Sequence, residues 1–241
     1  MDLSVVIPVH NEAENIETLA AEIDQALRGK CAYEIVYVDD GSTDGTPASL
    51  QAARESRPHL RILRHLACCG QSTAVLSGVR AARAPWIATL DGDGQNDPAD
   101  IPNLLAMLHA PDRSEGLAMV AGYRKKRQDT PWRRFCSKVA NRVRAGLLGD
   151  ATPDTGCGLK VFSREMYLQL PLFDHNHRFL PALVQRAGGR VVSVEVNHRP
   201  RTRGQSKYGA WNRLWVGIVD LFGVMWLQRR AKHPRVEEIA A

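Results

Sequence analysis

Ala88-Thr89-Leu90-Asp91-Gly92-Asp93-Gly94-Gln95-Asn96-Asp97-Pro98 is the stretch on which the reading of this chain turns. The apolar run from Trp86 to Leu90 has the length of a buried strand, and it delivers two carboxylates, spaced i and i+2, onto a loop that Gly92 and Gly94 leave open. Hard oxygen ligands at a strand end suit Mg²⁺ or Mn²⁺, above all where a phosphate completes the shell. A plain polar turn would read similarly, because Asn96 or Asp97 can cap a following helix and Pro98 fits its first position. An EF-hand does not fit: its sixth position would be Asn96 where Gly is needed, and its twelfth Pro102 where Glu is needed.

Upstream of this stretch the same pattern occurs three times. Ser4 to Val9 is an apolar run of strand length, followed from Asn11 by helical spacing at Ile16, Leu19, Ile23 and Leu27. Glu34 to Val38 repeats it and ends in Asp39-Asp40-Gly41-Ser42-Thr43-Asp44-Gly45, with a helix to about Ser56. Leu60 to Arg64 is a third strand, with a helix from Gln71 to Arg83. Apolar strands alternating with amphipathic helices predict a mostly parallel sheet covered on both faces, with ligands at the carboxyl ends of the strands. His10-Asn11-Glu12, Asp39 to Ser42, and Asp91 to Asp93 are the polar loops at such ends.

Downstream the character changes. A helix from Asp97 to His109 and a strand from Ala118 to Gly122 lead into Tyr123-Arg124-Lys125-Lys126-Arg127, then a basic helix over Pro131 to Leu148. Asp154-Thr155-Gly156 follows, then a late strand from Arg190 to Val196 and the basic segment Arg199 to Tyr208. Residues 1–116 hold 9 Lys/Arg against 17 Asp/Glu, net −8, and residues 117–241 hold 23 against 9, net +14, which together give the formal +6. The acidic half can hold a cation, and the basic half can meet phosphates or an anionic membrane. Nucleic acid is not the expected partner, since there is no RNP, zinc-finger or helix-turn-helix signature and no aromatic residues interleave with the basic ones.

Leu214 to Leu227 is almost wholly apolar, with Asp220 its only charge and arginines on both sides. Fourteen helical residues cover roughly 21 Å, short of the roughly 30 Å of a hydrocarbon core. A core helix and a helix lying in the membrane interface both fit, and Trp211, Trp215 and Trp226 beside arginines favour the interface. Five cysteines without a CxxC pair predict reduced, mostly buried thiols in a cytosolic setting, and the amino-terminal residues carry no signal-like stretch, so secretion is not expected.

Val6-Ile7-Pro8-Val9-His10-Asn11-Glu12, Val38 to Asp44, Gly70-Gln71 and Asp91-Gly92-Asp93-Gly94-Gln95 together resemble the large inverting, GT-A-fold glycosyltransferase family 2. The Asp154-Thr155-Gly156 segment and Arg201-x-x-Gly204-x-Ser206-Lys207-Tyr208 look like its polyprenyl-phosphate sugar synthase branch, the dolichol-phosphate mannose synthase type. The resemblance implies a single α/β GT-A domain over residues 1–210; the apolar segment read above then makes an interfacial helix over 211–232, with a tail over 233–241. It implies metal-dependent transfer of a sugar from a UDP- or GDP-sugar to a polyprenyl phosphate, with inversion, at the cytoplasmic membrane face, and leaves room for a membrane partner subunit. Pro8, His10, Asn11, Glu12, Asp39, Asp40, Gly70, Gln71, Asp91 and Gly92 would line the nucleotide-sugar pocket, and Asp93 with Gln95 would hold Mg²⁺ or Mn²⁺. Arg124, Arg201, Ser206 and Lys207 would handle phosphates, and Asp154 would stand near the acceptor as a candidate base. Cys68 stands where relatives often carry Asn, and Leu159 and Lys160 replace the more usual Phe and Arg. A transferase to a hydroxyl acceptor and a non-catalytic nucleotide-sugar or membrane-binding module are the alternatives.

Overall fold

In the computed structural model, residues 1–110, 115–124, 144–200, 210–232 and 237 are described, with the side chains of 210–215 left aside. Seven strands form one sheet in the order β3-β2-β1-β4-β6-β5-β7. They are β1 (Leu3–Val9), β2 (Tyr33–Asp40), β3 (Leu60–His65), β4 (Trp86–Thr89), β5 (Leu117–Tyr123), β6 (Lys160–Ser163) and β7 (Arg190–Glu195). β1 runs parallel to β2 and β4, β2 to β3, and β5 to β7. β6 alone is antiparallel, to both β4 and β5. Every other strand therefore points the same way. The carboxyl ends of β1, β2, β4, β5 and β7 and the amino end of β6 meet along one edge, and that edge collects the polar loops.

The helices α1 (Ile16–Leu27), α2 (Thr46–Glu55), α3 (Gln71–Ala81) and α4 (Ile101–His109) match the periodic segments of the first half. α1 starts four residues after Glu12, because Asn11 takes a left-handed φ of 54° and the chain must turn before the first helical residue. A short 3₁₀ turn, Pro98–Asp100, precedes α4, and the Asp97 side chain accepts from the Ala99 N–H as its cap. The second half adds α5 (144–148), α6 (Arg164–Leu168), α7 (Leu180–Arg186) and α8 (Ala210–Arg229). Of the basic helix expected over Pro131 to Leu148, only 144–148 lies within the described residues.

The sheet is buried on both faces, as its unbroken apolar strands require. One apolar cluster joins β1 residues Val5 and Ile7 to α1 and α4 through Leu19, Ile23, Leu104 and Leu108. The other joins Val6 and Val38 to Val75, Phe162, Tyr167, Leu183 and Val224. Gly78 of α3 lies so near the sheet that an added Cβ would sit 2.4 Å from Val6 Cγ1, which sets how closely this helix approaches β1.

β6 went unread in the sequence. Four residues are too few for a period, and two of them, Lys160 and Ser163, are polar. The thiols also differ from expectation: Cys157 is buried and Cys31 half-buried, but Cys68 and Cys69 are exposed. Their loop rests against Gly41, whose φ is 67° and where an added Cβ would lie 2.6 Å from the Ala67 carbonyl carbon and the Cys68 nitrogen.

α8 extends beyond the apolar run to 20 residues. Its inner side belongs to the core: Val224 is fully buried, Arg186 Nε donates to the Leu227 carbonyl at 2.9 Å, and Gln228 Nε2 donates to the Leu148 carbonyl at 2.8 Å. Its outer side exposes Ile218, Val219, Phe222 and Trp226. The core reading thus holds for the inner side, and the outer side is an exposed apolar face. Among the described residues, no helix is long and apolar enough to cross a membrane.

Candidate active site

The loops after β1 and β2 are stitched together first. The Asn11 N–H donates to Ser42 Oγ at 2.9 Å, the Thr43 N–H to Asn11 Oδ1 at 2.8 Å, and the Glu12 N–H to Thr46 Oγ1 at 2.8 Å. His10 Nδ1 stands 2.8 Å from the Asp40 carbonyl oxygen. The segment His10-Asn11-Glu12 therefore builds a rigid rim with backbone and side chain alike.

Asp39 and Asp40, adjacent in sequence, behave differently. Asp39 is buried; its Oδ1 accepts from the Ser42 N–H at 2.9 Å, while its Oδ2 makes no hydrogen bond and has only the Arg64 guanidinium at 3.4 Å. A buried carboxylate oxygen without a donor is costly, and it suits a ligand N–H or hydroxyl. Asp40 has no such capacity left. Its Oδ1 takes His65 Nδ1 at 2.7 Å and the Cys69 N–H at 2.8 Å, and its Oδ2 takes the Gly70 N–H at 2.8 Å and the Cys68 thiol at 3.3 Å. Burial works to raise the Asp40 pKa, but these four donors outweigh it and hold the carboxyl below its ordinary value. Asp40, expected at the nucleotide-sugar pocket, here has its four lone-pair positions on donors that brace the 68–70 loop. That brace fixes Gly70, at a φ of 88°, as the start of α3.

α3 in turn places Gln71, whose Nε2 donates to Asp91 Oδ1 at 2.8 Å. Asp91 follows Leu90 off the end of β4, and two close approaches hold it. An added Cβ on Gly92 would lie 2.6 Å from Val9 Cγ1, and one on Gly158 would lie 2.3 Å from Asp91 Oδ2 and 2.8 Å from Asn96 Oδ1. Desolvation first, and the charge of Asp93 second, push the Asp91 carboxyl above its ordinary value, against the opposing pull of Lys160 and Arg124. Asp93 turns back to accept from the Gln95 N–H at 3.1 Å. Two carboxylates that raise one another's energy beside a side-chain amide form a hard-oxygen donor set, and a divalent cation would relieve their repulsion. Asp93 and Gln95 fit such an ion.

The far wall comes from the second half. Arg124, just past β5, forms a two-pronged pair with Asp154, Nε to Oδ2 at 2.6 Å and Nη2 to Oδ1 at 2.9 Å. Burial opposes the guanidinium's charge, but Asp154 more than compensates, and the Arg124 pKa is raised. Asp154, expected as a base, has both oxygens committed to Arg124; the geometry makes it the clamp that orients the guanidinium.

A cleft of about 370 Å³ lies between these walls, lined by Pro8, Gln71, Asp91, Gln95 and Arg124 together with Thr155 to Gly158, Lys160, His177 and Arg178. Five of the expected residues thus share one cavity. Asn11 and Asp39 are not in its lining: Asp39 pairs with Val9 near the end of β2, and Asn11 follows Val9 by two residues; Arg201, Ser206 and Lys207 lie outside the described residues. The chain after β7 nevertheless runs across this site: Asn96 and His198 form a β-bridge, and the Arg199 N–H donates to the Gln95 carbonyl at 2.9 Å. Arg199 Nη2 also pairs with Asp97 at 2.6 Å and its Nη1 with Glu22 at 2.7 Å.

Lys160, His177 and Arg178 were not singled out in the sequence as cleft residues. His177 Nδ1 is 2.7 Å from Ser72 Oγ, and burial lowers its pKa to about 3, so the ring is neutral. An isolated His-Arg pair between turns carries no spacing signal. For Lys160 a clue existed in its replacement of the more usual Arg beside the Asp154 segment.

Comparison with known proteins agrees with this geometry. The model of glycosyl transferase family 2 matches residues 4–170. The chain is 35% identical over 240 residues to a dodecaprenyl-phosphate galacturonate synthase of Rhizobium johnstonii, covering 97% of this chain and 69% of that protein. It is 35% identical over 209 residues to an undecaprenyl-phosphate 4-deoxy-4-formamido-L-arabinose transferase of an Enterobacter species, covering 86% of this chain and 62% of that one. Among solved structures, a mannosyltransferase of Pyrobaculum calidifontis in complex with GDP-Man and Mn²⁺ superimposes with a TM-score of 0.70 at 24% identity, covering 96% of this chain and 65% of that chain. The sheet order, the carboxylate loop beyond β4 and these matches converge: the chain belongs to glycosyl transferase family 2, with the GT-A fold.

Proposed function

We propose that this transferase moves a sugar from a nucleotide diphosphate sugar to a polyprenyl phosphate, with inversion, at a membrane surface. The observation that carries the reading is the single cleft in which Gln71 and Asp91 of the acidic half face Arg124 of the basic half. The Asp39 oxygen without a hydrogen bond supports a role in holding the nucleoside.

A divalent cation held by Asp93 and Gln95 would supply charge neutralisation to the departing diphosphate. The chain's own contribution is positioning. Gln71 fixes Asp91, Asp154 fixes Arg124, and the Arg199 N–H ties the chain after β7 to the Gln95 carbonyl. Orientation of this kind contributes much of a rate enhancement when the attacking atom arrives already charged.

The carboxylates already engaged in the cleft support the acceptor class. A sugar hydroxyl needs a base, but Asp91 is held by Gln71 and Asp154 by Arg124. A phosphate monoester, with a second pKa of about 6, is largely ionised at neutral pH and needs none. This favours the phosphate over a hydroxyl acceptor. The relatives named above are polyprenyl-phosphate sugar transferases, which supports the same choice.

The outer face of α8 supports membrane contact. Phe222 and Trp226 are 62% and 60% exposed, one helical turn apart, and Arg229, Arg230 and Lys232 follow. An apolar stripe with trailing cations suits an anionic headgroup boundary. The test is incubation with Mn²⁺ or Mg²⁺, a panel of UDP- and GDP-sugars and a short polyprenyl phosphate, read by mass spectrometry. A phosphate-linked sugar lipid is the expected product; equal transfer to a phosphate-free alcohol would refute the acceptor assignment.

A further inference from the structure

Lys160 is 4% exposed, at the start of β6, opposite Thr89 of β4 and Ala121 of β5. Its ammonium donates to the Cys157 carbonyl, and among the described residues no carboxylate pairs with it. A buried cation held only by a neutral carbonyl is under-compensated. Desolvation accordingly draws its pKa below the ordinary lysine value, although Cys157, Asp91 and Asp154 favour the charge from a distance. The other buried cations are differently placed: Arg124 has Asp154, Arg144 has Asp150, and Arg57 has Asp24 and Glu17.

Lys160 also lines the cleft, near enough to Asp91 and to Arg124 for both to act on its charge. In the proposed reaction the transferred sugar must lie between the departing diphosphate and the incoming phosphate. The first has Asp93 and Gln95 with their cation, and the second has Arg124. Lys160 is a further cation on the same cleft and, among the described residues, has no carboxylate partner to compete with a bound anion. The group that complements an unpaired buried cation is anionic, and on a sugar ring that group is a carboxylate.

We propose that the donor sugar is a uronic acid, and that Lys160 is the counter-ion of its carboxylate. This inference rests on the transferase reading above. Binding of the ligand would complete an ion pair that the free protein lacks, so selectivity for acidic over neutral sugars would follow from a buried charge that a neutral hydroxymethyl group leaves unpaired.

The test is calorimetric binding of matched pairs that differ only in the carboxylate: UDP-galactose and UDP-galacturonate, UDP-glucose and UDP-glucuronate, GDP-mannose and GDP-mannuronate, each with Mn²⁺, against wild type and Lys160→Met. Methionine keeps the length of the side chain and removes the charge. Wild type is expected to bind the acidic member of at least one pair tenfold or more tighter, and Lys160→Met to reduce that advantage below twofold while free UDP or GDP binding changes less than twofold. Neutral sugars bound as tightly as acids by wild type would overturn the proposal, and this holds even if the variant does not fold. Equal weakening of both members and of the free nucleotide would overturn it too, by placing Lys160 on the diphosphate. Acid preference without transfer of any sugar to polyprenyl phosphate would leave this inference standing and defeat the acceptor reading instead.

Discussion

The two halves of the site are built by different means. In the acidic half, each functional group sits at or just past the end of a strand: His10 to Glu12 after β1, Asp39 in the last two residues of β2, Asp91 after Leu90 beyond β4. Parallel pairing brings these strand ends together, so neighbours in the pattern become neighbours in space. In the basic half, Arg124, Asp154, Lys160 and His177 are spread over residues 124–177 and meet because β6 enters the sheet antiparallel between β4 and β5. The first half shows chemistry carried by repetition of one unit. The second shows chemistry carried by a single reversal of chain direction, which brings the Asp154 segment to the same edge as Asp91.

The comparison is most strongly challenged at Asp93. Asp93→Asn should reduce turnover roughly 10²- to 10³-fold if the acidic half holds the leaving group. Steady-state rates across a Mn²⁺ titration check this, and a variant of full activity would remove the cation from the loop.

On the basic side the expected cost falls on stability as well as activity. Asp154→Ala leaves Arg124 buried without its partner, for which about 3 to 5 kcal/mol is the usual loss. Denaturant unfolding should show it. A loss under 1 kcal/mol would mean that the pair does not order this wall.

Gly158→Ala tests the seam where the halves touch. The added methyl group would displace Asp91 or Asn96, and nucleotide-sugar affinity should fall about tenfold, roughly 1.4 kcal/mol, with a smaller change in Tm. Unchanged affinity would show that the Asp91 position is not critical.

A further effect concerns pH. His177 has a folded pKa of about 3 against an ordinary 6.5. Between those values the unfolded chain takes up a proton that the folded one refuses, so stability falls as pH drops from 6.5 toward 3. His177→Gln should flatten this slope, measured as unfolding midpoints at pH 7 and pH 5. An unaltered slope would assign the acid sensitivity elsewhere.

How much of this could be read beforehand differs along the chain. The Asp39-Asp40 pair was legible as a loop at a strand end, but not as one residue with a spare oxygen and one fully spent. That split depends on His65, Cys68, Cys69 and Gly70, which arrive from the next unit. For α8, the apolar run was visible and its two faces were not, because which side packs depends on Leu148 and Arg186. The mostly parallel sheet was legible because unbroken apolar strands between amphipathic helices have few other ways to bury both faces.

By itself, the sequence determined the repeated strand-and-helix units, the carboxylate loop at Asp91 to Asp93 and the separation of charge between the halves, since each is a property of residues near one another along the chain. Only the tertiary structure decided that Lys160 and His177 line the same cleft as Asp91, and that Asp154 clamps Arg124. Those are contacts between distant segments, set by strand direction and close packing, on which local periodicity has no bearing.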